Sequence, residues 1–192
     1  MNRLTSKAFT LVELLIVIGI IGLLAVTVLL ALNPAEAQRK ARDTDRILDA
    51  ATLQAVLEQI VNEGNIVIPT TPADSLGGTN GIVSSISGSN ANLTSQNCTV
   101  AAGHWLGGYD LCPYVKTVPL DPQNGRTATY QTGVPATPTA TGIMLYRARV
   151  SGTDYEINVR QESSSNVAKL TGDGGDSPEW FEVFSGNNAL LP

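Results

Sequence analysis

Glu13 has the most demanding chemical setting in this chain of 192 residues. From Leu14 to Leu32, 19 residues, no side chain carries a charge. A helix of that length measures about 28 Å at about 1.5 Å per residue, close to the thickness of bilayer hydrocarbon. A carboxylate at the margin of such a span is costly unless it is protonated, reaches the headgroups or meets a cation. The other chemically competent groups lie far along the chain. Cys98 and Cys112 pair as a disulfide if their region lies outside the cytoplasm. Closing a loop of about 15 residues is worth about 3 kcal/mol in the chain-entropy model. Asp173 and Asp176, within Gly172-Asp173-Gly174-Gly175-Asp176, put two carboxylates in a flexible turn. Calcium takes about six to eight oxygens, of which these and nearby carbonyls can supply several; a plain Gly/Asp turn is the simpler reading. His104 is the sole histidine, and with two thiols it makes no zinc site unless a carboxylate joins them. G-x-S-x-G, G-x-x-x-x-G-K-[ST] and phosphate-binding G-x-G-x-x-G are all absent from the sequence. Nothing here assembles a catalytic constellation, and the expectation is a protein that is not an enzyme.

The apolar stretch that follows Glu13 has three readings. It can be the core of a conventional secretory signal, with Arg3 and Lys7 ahead of it and Ala35-Glu36-Ala37 as the cleavage site, although such cores usually run about 7–15 residues. It can be a plain single-span anchor. Basic residues flank both ends, so the charge rule for orientation does not decide which end faces the cytoplasm. The third reading turns on what precedes Glu13.

Lys7-Ala8-Phe9-Thr10-Leu11-Val12-Glu13-Leu14-Leu15 resembles the cleavage and methylation motif of type IV prepilins and type II secretion pseudopilins. The resemblance implies a leader over residues 1–8, cut by a prepilin peptidase after Ala8, with Phe9 becoming the N-methylated terminus. Glycine usually precedes the cut, so Ala8 is a departure, though its small side chain suits a tight protease subsite. It further implies that Glu13 pairs with the Phe9 amine of a neighbouring copy. Each charge is expensive alone in a low dielectric and much less so with its partner, which makes the pair a register device. Copies of the chain, membrane lipid before assembly, and an inner-membrane platform with a separate ATPase are the implied partners. The implied location is the cytoplasmic membrane, with the head outside, and then a surface filament.

The expected organisation is a leader 1–8, a membrane and filament-core helix 9–33, an amphipathic helix 34–63 and a loop-rich head 64–192. Gly19 and Gly22 allow close approach between helices, and Pro34 predicts a kink or local melting. Leu53, Val56, Leu57, Ile60 and Val61 make one apolar stripe, and Gly64 is a natural stop. The mixed run Arg39, Lys40, Arg42, Asp43, Asp45 and Arg46 reads as a solvated helix face. In the head, a helical turn or two is expected within Trp105–Val118. Strands are expected over Ile143–Val150, Tyr155–Arg160 and Trp180–Phe184, with Tyr130 on another, and Ser151–Asp154 forms a hairpin turn. Thr137–Thr141 reads as a loop, open to O-linked sugar. The fold class is α+β and pilin-like, a long N-terminal helix on a small antiparallel sheet. A major pseudopilin also has a calcium loop near its C-terminus, which is the main support for calcium at Asp173 and Asp176.

The formal net charge is −5, and removing residues 1–8 lowers it to near −7. That argues against a head that binds nucleic acid through a broad basic surface. The sequence therefore predicts a subunit of a type IV pilus-like filament. The alternatives are a secretion pseudopilin, a secreted binding protein starting at Gln38, and, more remotely, an extracellular enzyme.

Overall fold

Thr10 is the N-cap of the first helix. In the computed structural model, which describes residues 9–64, 82–84, 96–99, 106, 110–133, 138–144, 146–151 and 154–186, helix α1 runs Leu11–Leu32. Its first turn is fixed by a capping box: the Glu13 N–H donates to Thr10 Oγ1 at 3.2 Å, and the Thr10 N–H donates to Glu13 Oε2 at 2.9 Å. The helix ends at Asn33, whose φ of 40° is left-handed, a conformation asparagine tolerates better than most residues. Helix α2, Pro34–Asn62, starts at once. Proline suits a first helical position because its missing N–H has no helical partner there and its φ is preset. The expected kink is thus a one-residue break, with Pro34 opening the second helix. The chain divides into two compact units between Gln38 and Arg39.

The second unit is built on the remainder of α2. Ala50, Leu53, Val56, Leu57 and Ile60 are buried, and Val61 is half-buried at the edge of the stripe. Gly64, at φ 70°, takes up the left-handed turn after the helix end. Among the described residues six strands follow: β1 Ile82–Ser84, β2 Thr127–Gln131, β3 Pro138–Ile143, β4 Tyr146–Ser151, β5 Asp154–Val159 and β6 Phe181–Phe184. The main sheet is antiparallel in the order β1-β4-β5-β6, and β2 and β3 form a separate antiparallel pair. Strands β4 and β5 meet at Ser151 and Asp154, as the hairpin signal predicts; Gly152 and Thr153 lie outside the described residues.

Tyr146, Ala148, Tyr155, Ile157 and Val159 pack with the α2 stripe, and Leu106, Leu111 and Val118 close the cluster. Two tyrosine hydroxyls leave this core toward the helix. Tyr146 donates to Asp49 Oδ2 and Tyr155 donates to Glu58 Oε1, both at 2.8 Å. Cys98 and Cys112 form a disulfide with Cα atoms 4.8 Å apart. It anchors a single helical turn, in which the Tyr114 and Val115 N–H groups both donate to Leu111 O at 2.9 Å.

Several expectations change here. Ile143 does not belong to the strand of Tyr146; it ends β3, opposite Thr127. The chain passes between the two sheets at Met144, which is buried and donates its N–H to Arg126 O at 3.1 Å. Pro138–Thr141, expected as loop, lies in β3. Pro138 is the first strand residue, where a missing donor is tolerated; Thr137 lies outside the described residues. Strand β5 is not half-buried but buried on both faces, Glu156 and Asn158 included. Its alternation of apolar and polar residues reflects a second, polar layer rather than solvent. A 3-10 turn at Ser164–Asn166 and the short helix α3, Val167–Leu170, were not anticipated.

Candidate functional site

The first unit presents an apolar rod with one acid at its start. Side chains from Leu11 to Leu30 are exposed all round the helix, and this segment of 20 residues is long and apolar enough to cross a membrane. Phe9 is exposed, and Ala8 lies outside the described residues. Glu13 Oε2 accepts from both the N–H and the hydroxyl of Thr10, at 2.9 and 2.8 Å. The carboxylate is therefore oriented by its own chain. Sequence reading placed Thr10 inside the motif but gave it no role; a Thr three residues before a Glu is the capping-box signal that reveals it. A Cβ added to Gly19 or Gly22 meets nothing within 4 Å, so both positions are open to close approach from outside.

The second unit is clasped by charges that were read as solvent-facing. Arg46 and Asp43 have no exposed surface. Arg46 grips Asp121 with two donors, Nε to Oδ2 at 2.7 Å and a terminal nitrogen to Oδ1 at 3.0 Å. It also reaches Asp43 at 2.8 Å and Glu162 at 2.7 Å. Asp43 accepts from the N–H groups of Glu162 and Ser163 and from the Asn166 amide, at 2.8, 2.8 and 2.9 Å. Arg42 adds a second contact to Glu162, Nε to Oε1 at 2.9 Å. Burial pulls the Arg46 guanidinium down, but Asp121 and Glu162 outweigh it and hold it charged. Burial likewise pushes Glu162 up, while Arg42 and Arg46 bring it below the ordinary carboxylate range. The clasp joins α2 to the Pro119–Pro122 turn and to the corner after β5. A signal was available: Asp43 and Arg46 continue the 3-4 spacing of Ala50, Leu53, Leu57 and Ile60 toward the helix start.

The two acids proposed for calcium have different roles. Asp173 Oδ1 accepts from the Gly175 N–H at 3.0 Å, and its Oδ2 from the Glu182 N–H at 2.8 Å. It thereby caps the outer edge of β6. Asp176 instead lies with Glu156 and Glu182, all three offering oxygens within 4.8 Å of one another. The loop between them runs tight against Glu182: a Cβ on Gly175 would fall 1.6 Å from Glu182 Oε2. Ser177 N–H and Asn158 Nδ2 both donate to Glu182, at 3.1 and 3.3 Å. Burial, with the nearby acids Glu156, Asp176 and Asp173, pushes the Glu182 carboxyl up to about 7. The structure thus brings Asp176, but not Asp173, into a shared group of acids. His104 lies outside the described residues.

An apolar helix with a capped acid at its head, long enough to cross a membrane, followed by an α+β domain carrying a disulfide, is a pilin-like arrangement that fits a membrane-anchored precursor. The sequence comparison points the same way. Residues 3–29 of the 192 match the family model described as the prokaryotic N-terminal methylation motif. That supports a precursor of the type IV pilin or pseudopilin type, processed by prepilin peptidase. No curated protein and no solved structure matches the chain.

Proposed function

We propose that the chain is the structural subunit of a type IV pilus-like filament, cut after Ala8 and polymerised through α1. The observation that carries this reading is a helix exposed and apolar on every side, with its one carboxylate already oriented at its first turn, inside the stretch that matches the methylation motif. Exchanging lipid for neighbouring apolar helices supplies little hydrophobic driving force. Register therefore falls to packing at open positions such as Gly19 and Gly22, and to Glu13. Its carboxylate meets the Phe9 ammonium of the next copy while Thr10 keeps it aimed. With no phosphate-binding motif in the sequence, a separate assembly ATPase supplies the work. A secretion pseudopilin shares all these features and differs in length and task.

The test is to extract the protein from membranes, measure its intact mass and N-terminal sequence, and image the cell surface. A chain beginning at methylated Phe9, together with surface filaments containing it, supports the proposal. A soluble monomer beginning at Gln38 overturns it in favour of a secreted protein. Lost secretion without surface filaments in the wild type assigns it to a pseudopilus.

A further inference from the structure

We draw no further inference here: the strongest candidate, the cluster of Glu156 on β5, Glu182 on β6 and Asp176 on the loop before β6, is a group of acids to which no independent feature among the described residues assigns a ligand, Glu182 being engaged by the Ser177 N–H and the Asn158 amide.

Discussion

Arg46 and Asp121, 75 positions apart in the chain, meet through two parallel hydrogen bonds of 2.7 and 3.0 Å with no solvent contact on either side chain. Breaking a buried pair from one side leaves an uncompensated charge, and here Arg46 serves three carboxylates at once. Arg46→Met is therefore expected to destabilise the second unit by about 3–5 kcal/mol. Asp45→Asn, one residue away on the exposed face, should change stability by less than about 0.5 kcal/mol. Urea unfolding of the detergent-extracted chain, followed by tryptophan fluorescence, compares the two. Equal midpoints for Arg46→Met and the wild type would show that the clasp does not hold the fold.

The pH dependence has two opposed limbs. Glu162 is held below its ordinary 4.5, so its contribution is present above that pH and is lost as pH falls through its lowered value. Glu182 is raised from 4.5 to about 7, so its contribution is full below 4.5 and is lost as pH rises through about 7. Asp49 and Asp173, both raised chiefly by burial, act in the same direction as Glu182. Stability is expected to peak in mildly acidic solution and to decline toward pH 8. Glu182→Gln removes the ionisation, so its melting temperature should exceed the wild type's by a margin that widens from pH 5 to pH 8. A constant margin would mean that Glu182 does not titrate in this range.

The parts legible in sequence were those governed by local pattern. The uncharged run after Glu13, the stripe from Leu53 to Ile60, the Gly64 stop and the Ser151–Asp154 turn each depend on neighbours within a few residues. What escaped depends on distant partners. Arg46 and Asp43 read as solvated because Asp121 and Glu162 lie far along the chain, and only the fold shows that they neutralise one another. Glu156 and Asn158 likewise looked outward, yet both are buried, with Asp176 close to Glu156 and Glu182 bonded to Asn158. Arg160, stacked 3.9 Å from the rings of both Tyr130 and Trp180, ties that layer together through three segments with no local relation.

The disulfide should act chiefly on the unfolded chain. Cys98→Ser with Cys112→Ser frees a loop with a sequence separation of 14, at an expected cost of about 3 kcal/mol. The native contacts around it are made by other groups: Leu111 N–H donates to Cys98 O at 2.9 Å, and Val118 N–H to Gln96 O at 2.9 Å. The double variant should therefore keep the wild-type circular dichroism spectrum at low temperature while melting earlier. Loss of the spectrum itself would assign the bridge a role in forming the turn at Leu111–Val115.

Thr10 gives the filament reading its most local test. Its hydroxyl both donates to Glu13 Oε2 and accepts from the Glu13 N–H, at 2.8 and 3.2 Å. Thr10→Ala removes both contacts but leaves the backbone N–H of residue 10 to bind the carboxylate, whereas Thr10→Ser keeps all three. If orientation of Glu13 matters to assembly, filament yield should fall in the order wild type, Thr10→Ser, Thr10→Ala, Glu13→Ala. In that reading the leader cut precedes assembly, so the amount of chain beginning at Phe9 should not fall in any of these variants. Quantifying sheared filaments against the membrane pool separates the two steps. Wild-type filament yield from Thr10→Ala, with Glu13→Ala still defective, would show that Glu13 finds its partner unaided and that the cap serves only the helix.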